Sequence, residues 1–192
     1  MRISGGASKG RSTVKKSLVR KLSAAKKLRP TSSKVREAIF DILRGRIEGA
    51  SFLDLYAGTG TVGFEALSRG AVKATFVEKD ETMVREIKRN AEALGFMADA
   101  KVVRREAYEF ITEATGRERF DIIFIDPPYG SEEIERVLPV IAEKDLLAEN
   151  GILVAEHFSK KRLPEAAGNN IKMRKSYRYG DTMLTLYRKS IE

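Results

Sequence analysis

Residues 52–63 read FLDLYAGTGTVG, and this stretch leads from an apolar run into a helical pattern through three glycines. Glycines in such a turn let the backbone bend sharply and approach a ligand closely. A strand, a glycine loop and a helix in this order are the context that a nucleotide-binding loop requires. The stretch therefore predicts the first strand and the first crossover helix of an open α/β sheet, with a ligand at the loop.

Short apolar runs continue to alternate with amphipathic stretches as far as residue 156. Strands that alternate with helices pair in parallel through right-handed crossovers. The expected strands are Phe52–Leu55, Ala74–Glu78, Lys101–Arg104, Asp121–Ile125 and Gly151–Glu156. The expected helices between them lie near Val62–Ser68, Glu81–Leu94, Tyr108–Ala114 and Glu132–Ala142, and Asp80 and Ser131 are expected to cap two of them.

Two further β-type runs, Lys172–Tyr179 and Thr182–Arg188, are too close in sequence for a crossover helix between them. They predict a closing antiparallel hairpin. The expected fold class is therefore α/β, a doubly wound, seven-stranded Rossmann-like sheet whose last strand is antiparallel. A basic N-terminal arm and a helix should precede this sheet.

Charge is distributed unevenly along the chain. Residues 1–36 contain 12 Lys and Arg and no acid, which leaves 24 basic against 27 acidic residues in the rest. We therefore divide the chain into a basic arm, 1–30, and one domain, 31–192, whose first helix, 31–48, docks on the core. Such an arm suits a polyanion, since each neutralised phosphate releases counterions. A solvated tail and an organellar targeting segment are the alternatives.

Composition excludes several kinds of chemistry. The chain has no cysteine, hence no disulfide and no thiolate nucleophile, and its one histidine, His157, makes a histidine metal site implausible. We expect no metal site and a structural role for His157. No apolar run approaches the ~20 residues of a membrane span, so we expect a cytoplasmic protein with no membrane partner.

Two acidic residues indicate which cofactor the loop binds. Glu78 follows the glycine loop by about twenty residues and ends the second strand, where a carboxylate can accept both ribose hydroxyls. Asp54 stands just before the loop, a position unfavourable for a dinucleotide pyrophosphate but suited to the sulfonium and ammonium groups of S-adenosylmethionine. A nicotinamide or flavin dinucleotide is the alternative ligand.

The third strand is followed by Glu106 and Ala107, which could meet the amino group and a ring nitrogen of an adenine, although Glu106 could instead cap the next helix. The candidate cofactor-binding residues are Asp54, Tyr56, Gly58, Gly60, Glu78, Glu106 and Ala107.

Residues 120–129 read FDIIFIDPPY and carry the most specific motif of the chain. An exocyclic base amine is a poor nucleophile because its lone pair is delocalised into the ring. The Asp126 carboxylate and a proline carbonyl can hold the amine hydrogens, and the prolines stiffen this geometry. Tyr129 can stack on a base that is unpaired or flipped. We therefore take Asp126, Pro127 and Tyr129 as candidate catalytic residues, with a rigid strand-exit turn as the alternative.

The Asp-Pro-Pro-Tyr motif behind a Gly-x-Gly loop resembles the methyltransferases that act on amines of nucleic-acid bases. More narrowly, nearly the whole chain resembles the bacterial family RsmD, which methylates guanine N2 in 16S ribosomal RNA. The resemblance is carried by Arg2-Ile-Ser-Gly-Gly, Lys9-Gly-Arg11, Leu28-Arg-Pro-Thr31, Val35-Arg-Glu37, Asp54–Gly60, Glu65–Gly70, Phe124–Tyr129 and the closing hairpin.

The resemblance implies transfer of a methyl group from S-adenosylmethionine to a guanine N2 in an assembled or partly assembled small ribosomal subunit. It also places the basic arm in the mature enzyme, although residues 12–27 are variable in the family. Arg11, Arg29 and Arg36 are candidate contacts to RNA phosphates, and nothing in the sequence calls for more than a monomer. An adenine-N6 methyltransferase and a non-catalytic ribosome-assembly factor are the alternatives.

Overall fold

The computed structural model of the 192-residue chain describes Gly6 and residues 33–115, 118–128 and 130–190. The assigned residues Arg11, Arg29 and Tyr129, and all of the predicted arm except Gly6, lie outside this part. Within it, no helix is both long and apolar enough to span a membrane.

Helices and strands alternate along the described chain as the sequence predicted, with bounds that differ by a few residues. The helices are α1 (Ser33–Ile42), α2 (Thr61–Ser68), α3 (Glu81–Leu94), α4 (Ala107–Thr112) and α5 (Glu133–Glu143). The strands are β1 (Ser51–Asp54), β2 (Lys73–Glu78), β3 (Ala100–Arg104), β4 (Phe120–Ile125), β5 (Leu147–Phe158), β6 (Ala166–Ala167), β7 (Ile171–Tyr179) and β8 (Thr182–Lys189).

All strands form one sheet in the order β3-β2-β1-β4-β5-β8-β7-β6. The first five pair in parallel, and β8 runs antiparallel to both β5 and β7. The doubly wound α/β fold with an antiparallel last strand is therefore confirmed. The described sheet has eight strands rather than seven, because the two residues of β6 pair with the start of β7. Two residues are too few to show an alternating pattern in sequence.

Helices cover both faces of the sheet. Apolar residues of α1, α2 and α3 pack on one face, which we call the front face, and those of α4 and α5 pack on the other. Side chains alternate between the faces along each strand. In β4, for example, Phe124 belongs to the front cluster and Ile125 to the rear one.

Helix ends follow the expected signals in part. The Asp80 side chain accepts from the backbone N–H groups of Thr82 and Met83 at the start of α3, as predicted. The first helix ends at Ile42, earlier than the expected residue 48, because the chain turns at Gly45, whose φ is +77°.

Gly63 lies in α2 where this helix crosses the sheet. A Cβ atom added there would lie 2.3 Å from the ring of Phe76, which is fully buried in β2. The Phe76 ring is itself held against Phe64, at 4.6 Å between centroids. The third glycine of the loop motif therefore allows the close approach of helix and sheet.

We predict that Gly63→Ala lowers the free energy of unfolding by ~1–3 kcal/mol, the usual effect of overpacking a core. Urea denaturation measures this change. Phe76→Leu is the partner variant, and the loss in the double variant should be smaller than the sum of the two single losses. A Gly63→Ala protein stabilised by the ~1 kcal/mol of helix propensity would show that the contact with Phe76 is not limiting.

Candidate active site

The register of the parallel strands brings several carboxylates together at the carboxyl edge of the sheet. Asp54 of β1 pairs with Phe76 of β2 and with Phe124 of β4. Two residues beyond these partners, and therefore directed to the same front face, lie Glu78 and Asp126. Two predicted cofactor residues and one predicted catalytic residue thus converge at one edge, where open α/β sheets bind their ligands.

Asp54 is the most buried of these acids, with 2% of its surface exposed. Its carboxylate accepts from the backbone N–H of Gly63 at 3.1 Å. Burial, assisted by the nearby charges of Asp126 and Glu78, outweighs this bond and raises the pKa of Asp54 to about 7. A cation bound beside Asp54 would favour its ionised form, because an opposite charge lowers the pKa of a carboxyl group.

Glu78 holds the glycine loop against β2. One carboxylate oxygen accepts from the Gly58 N–H at 2.9 Å, and the other accepts from the Asp80 N–H at 2.8 Å. Each oxygen has a second lone pair for a further donor. The geometry is therefore compatible with the ribose contact predicted for Glu78.

The loop adopts the backbone conformation for which its glycines were assigned. Gly58 and Gly60 have φ values of +54° and +76°, which favour glycine. A Cβ on Gly60 would lie 2.7 Å from the Phe64 ring, whereas none of the described atoms lies within 4 Å of a Cβ on Gly58. Gly58 is thus the loop position with open space for a ligand.

The remaining predicted cofactor residues lie on the rear side of the same edge. Tyr56 donates its hydroxyl to Glu133 at 3.0 Å, and burial raises the pKa of this phenol above its usual range. Glu106 is exposed and pairs with Lys79 at 3.0 Å; the hydrogen bond from Lys79 lowers the pKa of Glu106. Its side chain does not cap α4, which begins at the buried Ala107.

The two prolines of the motif differ in what their carbonyl groups contact. The Pro128 carbonyl accepts from both the backbone N–H of Ser131, at 3.2 Å, and the Ser131 hydroxyl, at 2.7 Å. No donor among the described residues bonds the Pro127 carbonyl. Of the two carbonyls, that of Pro127 is the one available beside the Asp126 carboxylate. Ser131 was predicted to cap α5, which is wrong because its hydroxyl is used here and Glu132 takes the cap position.

Lys161 contacts both the loop between β4 and α5 and α5 itself, and it was not among the residues predicted from sequence. Its ammonium group donates to the Ser131 carbonyl at 2.5 Å and pairs with Glu135 of α5 at 2.7 Å. Only 22% of its side chain is exposed. The contact spans thirty residues, and no local pattern in the sequence signals such a distant pairing.

Glu156 is a further acid at this edge, and no motif in the sequence marks it as a site residue. The register pairs Phe124 with Val154, so Glu156 lies level with Asp126 on the adjacent strand and on the same face. It is only 4% exposed. A buried carboxylate therefore stands next to the predicted amine-binding group.

Arg36 differs from the other residues predicted to contact RNA, because its position is described. Its guanidinium lies 3.9 Å from the fully buried Glu65, which also pairs with Arg69 at 3.0 Å. The Arg36 side chain is 12% exposed. In this arrangement Arg36 helps to hold α1 against α2 and presents little surface to a phosphate.

His157 has the structural surroundings that the sequence predicted. Its Nδ1–H donates to the Phe158 carbonyl, at 3.1 Å, and its Nε2 then accepts from the Thr185 hydroxyl, at 2.8 Å. Burial lowers the pKa of His157. The ring is thus held neutral between β5 and β8, facing away from Asp126.

We predict that Asp54→Asn changes how stability depends on pH. The folded protein binds a proton at Asp54 with a pKa of about 7, against an ordinary 3.8, so this group favours folding at low pH. Its contribution is lost as pH rises from about 4 to about 7. The asparagine amide is neutral and can still accept from Gly63, so the variant should gain stability relative to wild type over that range.

Urea unfolding across the pH series measures this difference. Glu109→Gln, on the exposed side of α4, is the control with the same loss of charge. Wild-type and Asp54→Asn curves that stay parallel from pH 4 to pH 8 would contradict a raised pKa at Asp54.

Comparison with known proteins identifies the family of the chain. The family model described as "Conserved hypothetical protein 95" matches residues 1–188. A Bacillus subtilis protein named as a candidate rRNA methyltransferase is 38% identical over 98% of this chain and 99% of its own length. The Haemophilus influenzae protein named ribosomal RNA small subunit methyltransferase D is 34% identical over 71% of each chain.

Among solved structures, a candidate methyltransferase of Escherichia coli superposes with a TM-score of 0.83 and 28% identity, covering 100% of this chain and 99% of that one. The match extends through the strands that carry Asp54, Glu78 and Asp126. The chain therefore belongs to the family of the small subunit methyltransferase D proteins.

Proposed function

We propose that this protein transfers a methyl group from S-adenosylmethionine to the exocyclic N2 amine of a guanine in 16S ribosomal RNA. The observation that carries the proposal is the pair of acceptors at the end of β4. The Asp126 carboxylate and the Pro127 carbonyl stand at the sheet edge that also holds Asp54 and Glu78. Relatives named for methylation of small-subunit ribosomal RNA support the substrate class.

The acceptor pair explains how a weakly nucleophilic amine could react. Hydrogen bonds from the two amine hydrogens to Asp126 and Pro127 would turn the nitrogen lone pair out of the ring plane. These hydrogen bonds would be stronger in the transition state than in the ground state, which is the condition for accelerating the reaction. No general base is required, since the amine loses its proton after the new N–C bond has formed. Tyr129 is proposed to stack on the captured base.

The residues around the glycine loop fit S-adenosylmethionine, which when bound supplies an electrophilic methyl group on a sulfonium. Asp54 is a buried acid whose pKa is raised to about 7 by burial and by the nearby acids, so a cationic ligand would be favourable there. Glu78 retains lone pairs for the ribose hydroxyls, and Gly58 leaves room for close approach. Tyr56, Glu106 and Ala107 are proposed to line the adenosine end.

The proposed substrate is the small ribosomal subunit or an assembly intermediate of it, met in the cytoplasm by a monomeric enzyme. Arg11 and Arg29 in the basic arm, 1–30, are proposed to contact phosphates. Arg36 can add to this contact only through the exposed 12% of its side chain. The domain 31–192 would then carry the cofactor and the chemistry.

Calorimetry should detect binding of S-adenosylmethionine and S-adenosylhomocysteine but not of NAD, because the buried Asp54 opposes a pyrophosphate. Glu78→Ala should weaken binding by ~1.5–3 kcal/mol, the range for hydrogen bonds to a charged acceptor. Glu81→Ala, three residues away and exposed, is the matched control. Comparable affinity for NAD would overturn the cofactor assignment.

Asp126→Ala should lower the turnover of methyl transfer to small-subunit particles by about 100- to 1000-fold, as expected for loss of a transition-state contact. Cofactor affinity should change little, because Asp126 acts on the amine. Transfer of labelled methyl groups at saturating substrate measures turnover.

Asp121→Ala is the control for this experiment, since Asp121 belongs to the same strand but lies at its opposite end, bonded to Ser51. It should retain turnover near that of wild type. Equal turnover in Asp126→Ala and Asp121→Ala would show that Asp126 does not hold the amine.

A further inference from the structure

The charge of the folded domain is divided between two regions. Residues 37–157 contain 15 basic and 24 acidic residues, whereas residues 158–190 contain nine basic and two acidic ones. The basic segment consists of the loop after β5, then β6, β7 and β8. The described domain thus carries its own cationic region, separate in sequence from the arm.

This region reaches the same edge of the sheet as Asp126. Phe158 at the end of β5 pairs with Thr182 at the start of β8, and the Ser159 N–H donates to the Asp181 carbonyl at 2.7 Å. The β7–β8 turn therefore lies at the carboxyl edge of the parallel strands. Three strand spacings of ~4.8 Å separate β4 from β7, roughly 14 Å in all.

The outer edge of β7 is open over most of its length. In the described part of the chain, β6 pairs only with Ile171 and Lys172, so no strand covers residues 174–179 on that side. Five exposed cations lie on this edge and on the loop after β5. We call them the hairpin strip: Lys160, Arg162, Arg174, Lys175 and Arg178.

The cations of the hairpin strip are not neutralised by the domain. None of the five has a carboxylate of a described residue within 4.0 Å. Their recorded contacts leave their charge in place: Lys175 lies 4.8 Å from the centre of the Tyr177 ring, and Arg178 donates to the Gly180 carbonyl.

Two other cations of the same segment are paired. Lys161 pairs with Glu135 and Lys189 with Asp145. Exposed cations that are not paired with carboxylates of the same protein are suited to bind a polyanion, because each neutralised phosphate releases counterions.

We propose that the hairpin strip is a docking surface for the phosphate backbone of ribosomal RNA, next to the strand end that receives the target base. This inference depends on the proposed function, since it names a second RNA contact of the same enzyme. The strip would fix the register of the RNA on the protein, while the Asp126 edge acts on the base.

The test replaces Arg174, Lys175 and Arg178 together by Gln and measures affinity for protein-free 16S ribosomal RNA and for purified small subunits over a range of salt. The control replaces Arg85, Lys88 and Arg89 of α3 by Gln, which removes the same charge at the opposite end of the sheet. Loss of three phosphate contacts should make the slope of log affinity against log salt shallower by roughly 2 to 3. The control should keep the wild-type slope.

A second variant, Lys160→Gln with Arg162→Gln, tests the loop part of the strip without altering β7. Both strip variants should retain wild-type cofactor affinity and wild-type turnover at saturating RNA. Equal salt slopes for strip and control variants would overturn the proposal. Weaker binding to subunits with unchanged binding to protein-free RNA would also overturn it, because the partner would then be an acidic ribosomal protein. Absence of methyl transfer by the wild-type protein would count against the proposed function instead.

Discussion

The parallel register of β1 with β2 and β4 is the constraint on which the rest of the site depends. It places Glu78 and Asp126 at one level on the front face. Asp54 lies on the same face, two residues closer to the start of the strands. A shift of one residue in either pair would turn one of these carboxylates to the rear face. The apolar residues that precede them are completely buried on both faces, so the register is strongly specified.

Bringing these acids together causes electrostatic repulsion, which nearby backbone N–H groups partly offset. Backbone N–H groups of Gly63, Gly58 and Asp80 donate to Asp54 and Glu78, and burial still raises the pKa of Asp54 to about 7. Groups with strongly perturbed pKa values cluster at functional sites. In the proposed enzyme, a cationic cofactor would supply positive charge beside these acids, and the base amine would supply hydrogen-bond donors. The same edge is thus suited to two ligands that meet between the acids.

Structural features that depend on residues close together in the chain could be predicted from sequence. Alternating apolar runs predicted the strands, and the glycine loop, Glu78 and the Asp80 cap followed from fixed spacings. Contacts between distant side chains could not be predicted in this way. Lys161 reaches the Ser131 carbonyl across thirty residues, and Arg36 turns toward Glu65 rather than outward. The uncompensated charge of the hairpin likewise depends on which carboxylates the fold brings near, which periodicity does not reveal.

The proposed activity is methylation of a guanine amine in 16S ribosomal RNA, and the nucleosides of that RNA report on it directly. Asp126 and Pro127 would hold an adenine N6 amine as well as a guanine N2 amine, so the product decides between the bases. Mass spectrometry should compare 16S RNA from cells with and without the gene. We predict the loss of one N2-methylguanosine, restored by the wild-type gene and not by Asp126→Ala. Unchanged methylation, or loss of an N6-methyladenosine instead, would contradict it.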